Sequence, residues 1–242
     1  MKNYIFGKNT IANALSHNDS LTEIYVAPNF KDDRINSLLK KSKVKVITKS
    51  IHELDEMLGK VNHQGVAALI EEYEYTSLET MLKKVEGKKD ALFVMLDGIE
   101  DPHNLGAILR SVDSFGADGV IIGANRSVKL NGTVAKVSTG AIEYVDVAMV
   151  TNLNQTIKKL KEEGFWVVAS DGSGTQDYRE VDYNMRTLLV VGSEGFGISQ
   201  LVLKNSDFIT KIPMVGHVNS LNASVACALF LAQIYNSRHP VK

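Results

Sequence analysis

Short apolar runs alternate with amphipathic runs along the whole chain. In the first part, residues 4–6, 21–26, 44–47 and 66–70 are rich in β-branched and aromatic residues and predict strands. Residues 9–16, 33–41 and 50–58 predict helices. In the second of these, Ile35, Leu38 and Leu39 stand at i, i+3 and i+4 with charges between them, the helical period. Residues 71–76 are acidic and lack a core pattern, 78–85 predict a helix, and 86–90 are hydrophilic. A domain junction falls here, giving expected domains at 1–72 and 91–242 with a linker region at 73–90.

From residue 91 the pattern strengthens. Residues 92–96 form one continuous apolar run, as in a strand buried on both faces. A helix is expected to about Phe115, then strands at 119–122, 145–147, 166–169, 188–191 and 208–212. Helices near 133–139, 152–163, 199–203 and 222–237 separate them. This alternation predicts an α/β fold with a mostly parallel sheet, in which ligands bind beyond the carboxyl ends of strands. The run 223–232 is almost wholly apolar and is expected to be buried. It and 91–96 are the longest apolar stretches, well short of the ~18 residues of a membrane span.

Composition adds little. The chain has 242 residues, 44% hydrophobic and 23% charged, with a net charge of −1, which excludes disorder as its main state. The first 72 residues carry +1 and the rest −2, so no broad basic field marks a nonspecific nucleic-acid binder. Lysines cluster at Lys40, Lys41, Lys43, Lys45 and Lys49 and at Lys83, Lys84, Lys88 and Lys89. A solvated surface and a phosphate-contacting patch both fit them. The single cysteine, Cys227, excludes an internal disulfide and Cys-based zinc sites and fits a cytoplasmic protein. The first residues lack the apolar stretch of a signal peptide, so the N-x-S/T matches at Asn18, Asn125, Asn131 and Asn222 carry no glycosylation meaning. No histidine pair has metal-ligand spacing, and no metal is expected.

Three strand ends carry chemistry. The first, 96–110, reads Leu-Asp-Gly-Ile-Glu-Asp-Pro-His-Asn-Leu-Gly-Ala-Ile-Leu-Arg, with Asp101 as N-cap and Pro102 at the first helical position. Asn104 and Arg110 lie ~240° apart on a regular helix, so they cannot share a face. By spacing alone Arg110 fits an i,i+3 ion pair with Asp113. The second end is Gly192-Ser193-Glu194-Gly195-Phe196-Gly197, a glycine-rich turn around one carboxylate. Its glycines admit close backbone approach to a ligand, but the spacing is not the dinucleotide fingerprint. The third, 212–226, is a polar loop in which Ser220 or Asn222 caps the apolar helix. Asp171-Gly172-Ser173-Gly174 reads as a turn.

Together these segments closely resemble the signature motifs of the SpoU (TrmH-like) RNA 2′-O-ribose methyltransferase family. The likeness extends to Ala135-Lys136-Val137-Ser138-Thr139-Gly140-Ala141 and to His63-Gln64-Gly65-Val66-Ala67, so nearly the whole chain is covered. It is nearest to the subgroup that methylates a guanosine of 23S rRNA. Asn219 stands where an acidic or small residue is common there, and Ala223 where Val is common.

The resemblance implies a SPOUT-type C-terminal domain with a deep trefoil knot, preceded by a small α/β domain that binds the RNA substrate. It implies S-adenosyl-L-methionine as methyl donor, contacted by Gly192, Ile212 and Leu221. It implies a catalytic set of Asn104, Arg110, Glu194, Ser220 and Asn222, a homodimer with shared sites, and rRNA as partner. Glu194 would order its loop or orient Arg110, and His103 would shape the first loop. Arginine stays protonated at any working pH, so Arg110 fits a charge-holding role better than that of a base. Other readings are a tRNA ribose 2′-O-methyltransferase, a noncatalytic RNA-binding ribosome-assembly protein, and a small-molecule α/β enzyme.

Overall fold

The computed structural model describes residues 3–16, 21–70, 73–217 and 220–241. Asn18 and Asn219 lie outside the described residues. The chain divides into two compact units, residues 1–74 with 130–133, and residues 75–129 with 134–242. Of the stretch 73–90, residues from 75 onward therefore belong with the second unit.

The first unit runs β1 (Asn3–Phe6), α1 (Lys8–Ser16), β2 (Leu21–Val26), α2 (Asp33–Lys41), β3 (Lys45–Thr48), α3 (Ile51–Leu58) and β4 (Val66–Ile70). Strand alternation sorts its core. Ile24, Val66 and Ala68 face Ile11 and Leu15 of α1 and Ile35 of α2. Tyr25 and Ala67 face the other way, onto Leu54 of α3. The sheet order is β1-β4-β2-β3. Only β2 and β3 are parallel, because β4 returns antiparallel to both of its neighbours. The mostly parallel pattern expected from residue 91 onward is not shared by this unit. The turn into β4 uses left-handed Gln64 (φ 52°) and Gly65 (φ 74°). Gln64 Oε1 accepts the Lys8 N–H at 2.9 Å, and His63 Nδ1 accepts the Gly65 N–H at 3.1 Å.

The second unit holds α4 (Leu78–Lys84), β5 (Leu92–Asp97), α5 (Pro102–Phe115), β6 (Gly119–Gly123), α6 (Gly132–Ser138) from Val134 onward, β7 (Val147–Val150), α7 (Leu153–Glu162), β8 (Trp166–Ser170), β9 (Gln176–Asp177), β10 (Thr187–Gly192), α8 (Gln200–Asn205), β11 (Phe208–Lys211) and α9 (Ala223–Arg238). Its sheet runs β7-β6-β5-β10-β8-β11-β9, parallel throughout. Leu92–Leu96 and Leu188–Val191 are buried on both faces, as the continuous apolar runs require. From α4, Leu78 and Met81 join this core beside Phe93, Val167 and Val190.

Three sequence expectations shift. The strand expected at 145–147 begins at Val147, because Ala141–Glu143 form a 3-10 turn closed by the Val145 N–H on the Ala141 carbonyl. The two-residue edge strand β9 has no apolar signal. In α9, Ala223, Cys227, Phe230, Leu231 and Ile234 are buried, but Val225, Leu229 and Tyr235 are exposed, so the helix is apolar without being fully covered. No helix among the described residues is long and apolar enough to cross a membrane.

Candidate active site

Beside one another in the sheet, β5 and β10 send their carboxyl ends into the first two motif loops. Strand order turns there, with β6 and β7 on one side and β8 and β11 on the other, the place where open parallel sheets bind ligands. At the end of β5, Asp97 Oδ2 accepts the Ser199 N–H at 2.8 Å and ties this loop to the one after β10. Asp101 caps α5 by accepting the His103 N–H at 2.9 Å, with Pro102 in the first turn. That start places Asn104 in the first turn, buried.

After β10 the chain closes a tight turn. Ser193 and Gly197 exchange backbone hydrogen bonds of 3.2 and 2.9 Å, and Ser193 Oγ accepts the Phe196 N–H at 3.3 Å. Gly192 is required here, since a Cβ on it would lie 2.2 Å from the Gly197 carbonyl carbon. Gly197 itself has φ +65°.

The third motif supplies the N-cap of α9. Asn222 Oδ1 accepts the N–H groups of Ser224 (2.9 Å) and Val225 (3.3 Å) and the Ser224 hydroxyl (2.6 Å). Capping fixes the amide, so its Nδ2 is free to donate to Asn104 Oδ1 at 2.8 Å and to Glu194 Oε1. Asn104 Nδ2 also donates to Glu194 Oε1, at 2.9 Å. One carboxylate oxygen thus gathers two amides, and the three motifs close into a single network. Charge-assisted bonds of this kind are the stronger ones.

Two cavities flank the network. A narrow one of about 150 Å³ is lined by Gly192, Glu194, Ile212, Ser220 and Leu221 together with Asp171. A wider one of about 670 Å³ is lined by residues 97–101, Asn104, Arg126 and the 193–197 turn. Ser193, Glu194 and Gly197 border both.

Gly192, Ile212 and Leu221 thus line one cavity, with Ser220 beside them. Arg110 lies apart. It is exposed on α5, lines neither cavity, and makes no hydrogen bond or ion pair among the described residues. The i,i+3 pair with Asp113 does not form, and Glu194 is bonded to Asn104 and Asn222 instead. His103 and His217 are exposed, and neither lines a cavity beside the network. The turn after β8 holds a residue that sequence reasoning passed over. Asp171 Oδ1 accepts from the Ser173 N–H and hydroxyl, as a turn residue would, yet Asp171 also lines the narrow cavity. Its position just beyond the strand expected at 166–169 was the available signal, since parallel sheets bind ligands there.

For a nucleoside-like cation the narrow cavity offers apolar walls in Val191, Ile212, Leu221 and Ala226. It also offers a carboxylate in Asp171 and bare backbone at Gly172 and Gly192. With Lys211 also in the lining, these groups suit S-adenosylmethionine by chemical type: apolar walls for its ring, a carboxylate acceptor for its hydroxyls and a cation for its carboxylate. Cys227 plays no part in such chemistry, because complete burial pushes its thiol up to about 12. Among the described residues no three His, Cys, Asp or Glu side chains group as metal ligands.

Residues 91–232 match the SpoU rRNA Methylase family, and residues 4–76 match a family described as RNA 2′-O ribose methyltransferase substrate binding. A Staphylococcus aureus (strain COL) protein described under TrmH family tRNA/rRNA methyltransferases is 47% identical over 240 residues, 98% of this chain and 97% of its own. The SpoU methyltransferase AviRb from Streptomyces viridochromogenes, in complex with AdoMet, has TM-score 0.63 at 23% identity. That match covers 97% of this chain and 90% of AviRb. An AdoMet-bound rRNA methyltransferase from Sinorhizobium meliloti also has TM-score 0.63, at 22% identity, over 99% of this chain and 88% of its own. These structures share the fold.

Proposed function

The chain belongs to the SpoU rRNA methylase family, and on that premise we propose that it methylates a ribose 2′-hydroxyl of RNA, a guanosine of 23S rRNA, with S-adenosyl-L-methionine as donor. One observation carries this reading. The narrow cavity and the wide one meet at Ser193, Glu194 and Gly197, so a donor and an acceptor can face each other across one wall.

When bound, the donor supplies an electrophilic methyl group on a positive sulfur. The protein's task is then to place the hydroxyl in line and to exclude other geometries. Asn104, Glu194 and Asn222 do this as a unit, holding the loops after β5 and β10 and the start of α9 in fixed register. Ser220, which lines the narrow cavity, is assigned to the motif loops or, across the wall shared with the wide cavity, to the ribose. Gly192, Ile212 and Leu221 hold the donor through the backbone around the narrow cavity. Arg110 keeps its charge, so its role is to hold phosphate beside the incipient alkoxide rather than to remove the proton. With no protein partner among the described residues, its guanidinium is free for the RNA or for a second copy.

The rest of the proposal follows the family resemblance. The second unit is a SPOUT domain with its C-terminal part in a deep trefoil knot, and residues 91–242 are its catalytic body. Residues 1–72 hold the RNA, in keeping with the match at 4–76. Two copies associate, for which the exposed Val225 and Leu229 on α9 offer apolar surface. The enzyme works in the cytoplasm and without a metal.

The test is methyl transfer from labelled S-adenosylmethionine to unmodified 23S rRNA, 16S rRNA and tRNA in parallel, with the labelled position mapped. Label in one guanosine ribose of 23S rRNA is the expected result. Label in tRNA would keep the reaction and change the substrate, and no label in any RNA would remove the proposal.

A further inference from the structure

Resting on the methyl-transfer reading, we propose that the wide cavity receives the target nucleotide itself, with Phe196 stacking on its base and the Glu100 carboxylate selecting guanine. Both side chains border that cavity and neither borders the narrow one.

Phe196 is 97% exposed, an unusual setting for a large aromatic ring. The turn carrying it is nevertheless closed by the Ser193–Gly197 backbone bonds and by Ser193 Oγ on its own N–H. A rigid mount with an uncovered ring is a stacking platform, and every nucleobase has a face for it. Such a platform can hold a nucleotide taken out of its stack, as enzymes that act on single nucleotides within structured nucleic acid do.

The polar wall narrows the choice of base. Four carboxylates border the cavity: Asp97, Glu100, Asp101 and Glu194. Three have hydrogen-bond donors already. Asp97 accepts from Ser199 N–H, Asp101 from His103 N–H, and Glu194 from Asn104 and Asn222. Glu100 is exposed and is the one with no hydrogen bond among the described residues.

A free carboxylate offers two adjacent acceptors and no donor. Guanine alone presents two adjacent donors on its pairing edge, N1–H and the 2-amino group. Adenine and cytosine set an acceptor beside their one amino group, and uracil flanks its N3–H with two carbonyls, so each meets the carboxylate with repulsion. Arg126 borders the same cavity, makes no ion pair among the described residues, and is available to a neighbouring phosphate other than the one assigned to Arg110.

The test uses the full chain, S-adenosylmethionine, and 23S rRNA transcripts into which inosine or adenosine is ligated at the mapped position. Inosine lacks only the 2-amino group. Wild-type kcat/KM is expected to fall about tenfold or more from guanosine to inosine, the loss of one bond to a charged acceptor. In Glu100→Ala the two substrates should become equal within about twofold. Phe196→Ala should raise the KM for RNA about tenfold, and Phe196→Trp should keep it low. All three variants should bind S-adenosylmethionine with the wild-type Kd, which shows that they are folded. A mapped target other than guanosine, an undiminished preference in Glu100→Ala, or an unchanged KM in Phe196→Ala overturns this inference while leaving methyl transfer standing. A wild-type protein inert on every RNA removes the methyl-transfer reading, and this inference with it.

Discussion

At the scale of single residues, Asn222 does two jobs that one substitution set can separate. Its Oδ1 caps α9 and its Nδ2 joins Asn104 to Glu194. Asn222→Ala should cost about 1 kcal/mol of stability through the lost cap. It should also cost at least about tenfold in kcat/KM through the lost donors to a charged group. Asn222→Ser restores a capping oxygen but not the amide, so thermal unfolding should recover while turnover stays low. Recovery of both would reduce Asn222 to a cap. Arg110 gives the opposite pattern. Exposed and without a partner among the described residues, it contributes nothing to the fold that Arg110→Ala could remove. The variant should keep the wild-type Tm and donor Kd and lose methyl transfer altogether. Arg110→Lys should fail as well if the fork geometry on phosphate is what matters, and steady-state kinetics on the mapped rRNA decide between the two.

At the scale of elements, turns and caps explain more than propensity does. Gly192 is the narrowest point of the turn after β10, where a side chain would press into the Gly197 backbone. Backbone cannot rotate away as a side chain can. Gly192→Ala should therefore destabilise by about 3 kcal/mol, the upper end of ordinary overpacking, and weaken donor binding with it, as calorimetry would show. In the first unit, α3 begins with a reciprocal capping box between Ser50 and Glu53. The Ser50 backbone N–H, then its hydroxyl and Lys49, hold the Glu53 carboxyl at about 2, below its ordinary 4.5. A depressed carboxyl stabilises the folded state above the unfolded value and loses that contribution as pH falls from about 4.5 toward 2. Protection factors of the α3 amides, exchange rates divided into the intrinsic rate at each pH, should fall across that window, and Glu53→Gln should flatten the dependence.

Elements were also what the sequence disclosed best. The continuous apolar runs of β5 and β10 and the cap Asp101 were legible because burial on two faces and N-capping are local properties, while the cap of α9 was narrowed to Ser220 or Asn222 and the structure selects Asn222. The antiparallel return of β4 and the edge strand β9 were not, since a strand's partner and direction depend on residues far away in the chain. Asp171 was missed for the same reason: only the neighbouring β10 turns an ordinary turn residue into a cavity wall. For Arg110 the sequence allows either an Asp113 pair or a charge held for substrate, and among the described residues neither the Asp113 pair nor any other partner forms.

At the scale of the whole molecule, charge sets how RNA can be recognised. The net charge is −1, and several of the clustered lysines are already paired. Lys45 pairs with Glu23, Lys49 with Glu53, Lys84 with Asp146 and Lys88 with Asp118. Both lysine clusters are thereby thinned, and a broad phosphate-binding field does not survive in either. Recognition must then rest on shape and on a few contacts to bases and sugars, as is usual for structured RNA. Each phosphate contact steepens the salt dependence by somewhat under one unit of log slope, so few contacts give a shallow line. Affinity for the RNA that proves to be methylated should fall less than about a hundredfold between 50 and 200 mM salt. A fall of a thousandfold or more would mean that unpaired lysines, such as Lys40, Lys41 and Lys43, grip the backbone after all. In that case, replacing those three with glutamine should return the slope to the shallow value. If the slope is shallow from the start, the same replacement should leave it unchanged, and discrimination would lie with the cavity around Glu100 and Phe196 rather than with the surface.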